Sequence, residues 1–134
     1  MPAYFVDTWF FVARSDRSDS HYARAKRLHA ALRQSTLVTH SAVLIEVLAY
    51  FSGYGAHGRA LAVGTARTVD REMTLVHVDQ SLFMRAVDLY AARPDKEYSL
   101  VDCVSMIVMR QRGIRHVLTN DHHFRQEGFI VVSE

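Results

Sequence analysis

The stretch Ser99-Leu100-Val101-Asp102-Cys103-Val104-Ser105-Met106-Ile107-Val108-Met109-Arg110-Gln111-Arg112-Gly113 is followed two residues later by His116-Val117-Leu118-Thr119-Asn120-Asp121. The first part is apolar on nearly every side of a helical projection, as a helix buried on most sides must be. Gly113 stands where a left-handed residue closes a helix. The second part reads as a short strand, His116 to Thr119, ended by a turn at Asn120-Asp121. A buried helix running into a short apolar strand is the repeating unit of a parallel sheet.

Working outward, the same alternation recurs. Ala3 to Val6 reads as a strand, Ser20 to Leu32 as an amphipathic helix and Leu37 to Thr39 as a strand. Ser41 to Phe51 is an apolar helix ended by Gly53, and Arg59 to Arg71 is a helix with an arginine-rich face. Thr74 to Val78 is a strand, Asp79 caps a helix reaching Ala92, and Phe129 to Val132 is a last strand. The expected architecture is α/β: a parallel sheet flanked by helices on both faces, forming one domain over residues 1–134. Such sheets bind ligands beyond the carboxyl ends of their strands, where the strand order reverses.

Composition narrows the class. With 49% apolar and 22% charged residues and a single cysteine, the chain is neither disordered nor a disulfide-stapled scaffold. No apolar run spans a bilayer and no signal-peptide pattern opens the chain, so a soluble, cytoplasmic protein of a reducing compartment is expected. Sixteen basic and fourteen acidic residues leave only +2. All the basic residues but Lys26 and Lys96 are arginine, which suits bidentate phosphate contact and is equally what a GC-rich genome produces.

Two acids break the pattern, and two more sit at telling places. Glu46 is the only charge between Ala42 and Phe51, and Asp102 the only one between Leu100 and Met109. A lone carboxylate in a buried helix costs several kcal/mol unless paired, and no basic residue lies one turn from either. Asp7 follows the strand Tyr4-Phe5-Val6, and Asp121 follows Val117-Leu118-Thr119 after one residue. All four can reach the carboxyl edge of the sheet. Each also has a plain explanation except Glu46: Ser99 and Asp102 fit a capping box, Asp7 could cap a short turn from Thr8 to Ala13, and Asp121 could be a turn aspartate. One shared site explains all four. Carboxylates without nearby sulfur suit Mg²⁺ or Mn²⁺, and such ions promote hydrolysis of nucleic-acid phosphodiesters.

Asp7-Thr8, Glu46 within its apolar helix, Ser99-Leu100-Val101-Asp102-Cys103 and Leu118-Thr119-Asn120-Asp121-His122-His123-Phe124 together resemble the PIN-domain nucleases, in order along essentially the whole chain. The length without an appended domain is most similar to the VapC toxins of prokaryotic toxin–antitoxin modules. The resemblance implies a Mg²⁺- or Mn²⁺-dependent endoribonuclease in which Asp7 and Asp102 are the principal metal ligands. Glu46 and Asp121 would bind directly or through water, and Thr8, Ser99 and Thr119 would orient carboxylates, water or phosphate. It further implies an RNA substrate, a cognate antitoxin whose C-terminal segment blocks the site, and a homodimer. Some members carry another acid two residues after the fourth. Here that place is His123, which leaves open whether one metal ion binds or two.

The remaining candidates read more plainly. His122 and His123 are adjacent and lack any zinc-ligand spacing, so they are expected at the surface or behind the ligands. Cys103 is expected as a packing residue. Among Trp9, Phe10 and Phe11, at least one should pack in the core and one could stay exposed to stack on a base or meet a partner peptide. Arg14, Arg17, Arg24, Lys26 and Arg27, and likewise Arg59, Arg67 and Arg71, form either a solvated face or an RNA-backbone rim. Two other functions fit the same fold: an RNA-processing nuclease without antitoxin, and a non-catalytic RNA-binding module. Setting the four acids aside leaves ten acidic against sixteen basic residues, so the small net charge conceals a basic remainder around an acidic pocket.

Overall fold

Phe5 and Val6 are fully buried because their strand is paired on both sides, to residues 36–38 on one edge and 116–118 on the other. That strand, β1 (Ala3–Val6), is the centre of a five-stranded sheet with β2 (Thr36–His40), β3 (Thr74–Val76), β4 (His116–Leu118) and β5 (Ile130–Val132). The computed structural model describes residues 2–132, so the expected domain limits at 1 and 134 lie outside the described residues. The strand order is β3-β2-β1-β4-β5 and every pair is parallel.

Among the described residues seven helices connect them: α1 (Thr8–Ser15), α2 (Tyr22–Ala31), α3 (Ser41–Phe51), α4 (Gly55–Glu72), α5 (Gln80–Ala92), α6 (Leu100–Arg112) and α7 (His123–Gln126). Parallel strands require right-handed crossovers, so the direction of each step fixes the face its helices cover. From β1 to β3 the chain steps outward one way, and α1 to α4 pack on one another. From β3 to β5 it steps the other way, with α5 against α6 and α7 against β5. The expected parallel sheet between two helical layers is therefore the observed fold. Among the described residues no helix is long and apolar enough to cross a membrane.

Where boundaries differ from expectation, local bonds explain the difference. α2 starts at Tyr22 rather than Ser20 because Asp19 holds the preceding turn, its carboxylate accepting from the His21 N–H at 2.8 Å. α4 starts at Gly55, four residues early, so part of the glycine cluster is helical. Gly58 is needed there: a Cβ would collide with that of Tyr54 and stand 2.9 Å from the Phe51 carbonyl oxygen. β3 ends at Val76 because the Val78 N–H leaves the ladder for the Ser41 hydroxyl, at 2.9 Å. The turn expected over Thr8 to Ala13 is a helix to Ser15, and α7 is a single turn that the local pattern does not announce.

One expectation fails. α3 is not buried on nearly every side, since Ile45 is 65% exposed and Leu48 and Tyr50 are also open. β2, α1 and α4 pack against it, and these exposed side chains lie on a side that those elements leave open. α6 is buried as expected, with Cys103, Met106, Val108 and Met109 inaccessible.

Candidate active site

The strand order reverses between β1 and β4, and both carry an acid just past their carboxyl ends. Asp7 continues the ladder by donating its N–H to the Leu118 carbonyl at 3.1 Å. It occupies the N-cap position of α1 without capping it, so the plain reading of Asp7 as a cap does not describe its carboxylate. Instead Oδ2 accepts from the Thr119 hydroxyl at 2.7 Å. Thr119 is fully buried, and its oxygen also accepts from the Asp121 N–H at 3.0 Å. One hydroxyl thus ties the acid after β1 to the acid after β4.

Burial pushes the Asp7 carboxyl up to about 7 against the Thr119 hydrogen bond, and the nearby charges of Asp102 and Glu46 push in the same direction. Those three acids therefore share one electrostatic neighbourhood. Glu46, half-buried on α3, accepts a hydrogen bond from the Thr8 hydroxyl of α1. The partner that its apolar helix cannot supply is a threonine next to Asp7.

Asp102 does what the capping box requires and more. Its Oδ2 accepts from the Ser99 N–H, while the Ser99 hydroxyl accepts from the Asp102 N–H, each at 3.0 Å. Burial raises its carboxyl, and the charge of Asp121 adds to that. The cap orients the carboxylate toward the other acids at the amino end of α6. Capping and site membership are one arrangement, not alternatives.

Two histidines lie in and beneath the site, and of these the sequence marks only His123, by its place two residues after Asp121. Asp121 Oδ1 accepts from the His123 N–H at 2.9 Å, a tight turn that brings the imidazole back over the acids. His123 Nδ1 lies 3.1 Å from Asp121 Oδ1 and 3.9 Å from Asp102 Oδ2. Among the described residues, one donor atom from each of Asp102, Asp121 and His123 falls within 4.8 Å of the other two. Of the two histidines expected at the surface or behind the ligands, His123 lies against the carboxylates. Its only signal was its place two residues after Asp121.

His40, at the end of β2, accepts from the Val43 N–H through Nδ1 at 3.3 Å, which leaves Nε2 protonated. Nε2 donates to the Ser105 hydroxyl at 2.8 Å, which donates to the Val101 carbonyl at 3.0 Å. Burial pushes this imidazole down to about 4, so it remains neutral. The chain of bonds joins the helix of Glu46 to the helix of Asp102. Nothing in the local sequence marks it.

The donor set can be tested against a metal on this geometry. Carboxylates whose ionisation is disfavoured by burial and by one another hold either a proton or a cation, and among the described residues a buried imidazole nitrogen facing them has no hydrogen-bond partner. Small divalent ions accept oxygen and single imidazole ligands, so the residues fit one. Asp102, Asp121 and His123 would hold it closely, with Asp7 and Glu46 alongside.

The rim is partly basic. The Arg24 guanidinium lies over the Trp9 ring, 5.0 Å from its centroid, and donates to Asn120 Oδ1 at 3.2 Å. Phe10 and Phe11 are in the core, leaving Trp9 as the half-exposed aromatic of the three. A cavity of about 670 Å³ lies at the opposite, amino edge of the sheet, lined by Thr36, Thr74, Arg33 and Arg71. It is remote from the acids. A site for a polymer needs an open face more than an enclosed pocket.

The PIN-domain family model matches residues 4–129. The chain is 31% identical over 128 residues to the 23S rRNA-specific endonuclease VapC20 of Mycobacterium tuberculosis, covering 96% of both sequences. The crystal structure of that VapC20, a sarcin-ricin loop cleaving toxin, superposes with a TM-score of 0.88 at 30% identity, over 98% of this chain and 99% of that one. The VapBC complex of Salmonella typhimurium gives 0.70 at 13% identity over 98% of each chain, a likeness of fold. With a family model matched over residues 4–129 and similarity to VapC20 along nearly the whole of both chains, the chain belongs to the PIN-domain family and, within it, to the VapC proteins.

Proposed function

We propose that this chain is a divalent-metal-dependent endoribonuclease, the toxin of a type II toxin–antitoxin module, acting as a single cytoplasmic PIN domain. The observation that carries the reading is the convergence of Asp7, Glu46, Asp102 and Asp121 at the point where the strand order reverses. The end-to-end likeness to VapC20 supports it and makes a structured loop of large-subunit ribosomal RNA the first substrate to try.

Bound among these side chains, Mg²⁺ or Mn²⁺ supplies Lewis acidity toward water and a phosphodiester oxygen. The protein's own residues fix the geometry. Thr119 holds one oxygen of Asp7, the Ser99 N–H holds one of Asp102, and Thr8 holds one of Glu46. These bonds keep the acids from swinging apart under mutual repulsion and present them to the ion and to the attacking water. Arg24, stacked on Trp9 and bonded to the residue before Asp121, contacts the RNA backbone.

An antitoxin segment with a basic side chain would complement the acids and silence the site. A homodimer would cover the exposed apolar side of α3. The test is cleavage of total RNA with Mg²⁺ or Mn²⁺ by the native protein and by Asp102→Asn, with mapping of the cut sites. Wild type is expected to cut at discrete positions and the folded variant to lose roughly 100-fold or more in rate. Equal cleavage by both would sink the assignment.

A further inference from the structure

We propose that His123 is a direct ligand, through Nδ1, of the divalent cation held by Asp102 and Asp121, making a mixed carboxylate–imidazole site that selects Mn²⁺ over Mg²⁺. The inference rests on the metal-dependent reading above and adds to it the identity of a ligand and of the preferred ion.

Three observations carry it. First, among the described residues Nδ1 is inaccessible to solvent and makes no hydrogen bond. It lies 3.1 Å from Asp121 Oδ1, but off the line a hydrogen bond requires. A buried ring nitrogen seldom stays unpaired without a ligand. Second, its neighbours are two carboxylate oxygens, the nearer at 3.1 Å and the farther at 3.9 Å. Ligands on adjacent positions of an octahedral ion, with bonds of about 2.1 Å, stand about 3 Å apart. All three donor atoms lie within 4.8 Å of one another, so small side-chain movements close the shell.

Third, the ring is held in this pose. The Asp121 carboxylate accepts the His123 N–H, and Tyr98 meets the imidazole edge-on at 5.7 Å between centroids. Tyr98 is in turn fixed by donating to Glu127 Oε2 at 2.9 Å. The neighbouring His122 has no such contacts with the acids. An imidazole ligand biases a site away from Mg²⁺, which favours oxygen and keeps its water, toward transition ions. Among these ions Mn²⁺ stands nearest to Mg²⁺ in its preference for carboxylate and water ligands, which make up the rest of this site.

The experiment uses the full chain and Mn²⁺ itself as the probe. Mn²⁺ binding is titrated by the loss of the free-ion EPR signal, Mg²⁺ binding by competition, and the bound ion is examined by pulsed EPR for nitrogen hyperfine coupling. Wild type, His123→Ala, His123→Asp and Asp102→Asn are compared, each checked for folding by circular dichroism. Wild type is expected to show coupling from a directly bound nitrogen. His123→Ala loses it and binds Mn²⁺ roughly 10- to 100-fold more weakly. His123→Asp also loses it while regaining Mg²⁺ affinity.

Binding of Mn²⁺ without nitrogen coupling, or coupling that survives His123→Ala, overturns this inference and leaves the metal-dependent reading standing. So does Mn²⁺ affinity that rises in His123→Ala, as an imidazolium merely paired with the acids would give. If wild type fails to bind Mn²⁺, or Asp102→Asn binds it equally well, both readings fall together.

Discussion

At the scale of single residues, Asp7 shows how the site conflicts with the fold around it. Its carboxyl is pushed up to about 7, far above the ordinary 3.8, mainly by burial. The native state therefore holds a proton that the unfolded chain releases. The stability this contributes is full below about pH 4 and is lost as the pH rises through about 7. His40 acts oppositely: it is neutral in the fold down to about pH 4 and protonated when unfolded below 6.5, so its contribution is lost as the pH falls. Comparison of Asp7→Asn with wild type isolates the first effect. In chelator, the variant is expected to melt close to wild type at pH 4. At pH 8 it should be more stable by on the order of a few kcal/mol, while cleavage is abolished. Thermal unfolding at the two pH values measures this, and a pH-independent difference would contradict it. Function here is kept at the expense of stability.

At the scale of elements, what matters is how short segments are held at the sheet's carboxyl edge. α7 is one turn long and has little intrinsic stability, yet it follows directly from the Asp121 turn and begins with His123. It is anchored at its far end by Glu127. That side chain is only 5% exposed and accepts from Arg110 at 2.7 Å and from Arg93 and Tyr98 at 2.9 Å. Burial alone would raise the Glu127 carboxyl, but the bonds from Arg93, Arg110 and Tyr98 hold it down to about 2. Its stabilising contribution is thus present above the usual 4.5 and lost only as the pH falls toward 2. Glu127→Gln is expected to cost about 1–3 kcal/mol at pH 7 and to weaken Mn²⁺ binding by loosening Tyr98 and α7. Denaturant unfolding and the Mn²⁺ titration read the two effects, and unchanged Mn²⁺ affinity would uncouple the anchor from the site. The His40–Ser105 link plays the matching part for α3 and α6.

At the scale of the whole molecule, the charge of +2 separates into an acidic edge and an arginine-rich remainder. With a cation offsetting the acids, an RNA strand meets a positive surface, so binding should respond steeply to salt. Asp102→Asn, which is not expected to cut and whose removed charge partly replaces the offset a cation gives, is expected to lose roughly 10- to 100-fold in RNA affinity between about 50 and 200 mM salt. Filter binding across that range tests it, and a flat profile would show that the arginines do not hold the backbone. The sequence by itself determined what local physics can determine. Strand and helix alternate by hydrophobic period, Asp79 and Ser99 cap their helices, and Gly113 closes α6 at φ 65°. Glu46 and Asp102 stood out as lone charges in apolar helices, and Asp7 and Asp121 by their places after strands, although only Glu46 lacked a plain local explanation. The tertiary structure decided what no local pattern encodes. Parallel pairing is between distant segments, so the order β3-β2-β1-β4-β5 and the bond from Thr119 to Asp7, 112 residues away, exist only once the chain is folded. The same pairing set Glu46 beside Thr8, left the outer side of α3 uncovered and brought His123 over the carboxylates. Capping and periodicity act over a few residues, whereas a site is assembled by contacts whose closure the whole sheet must enforce.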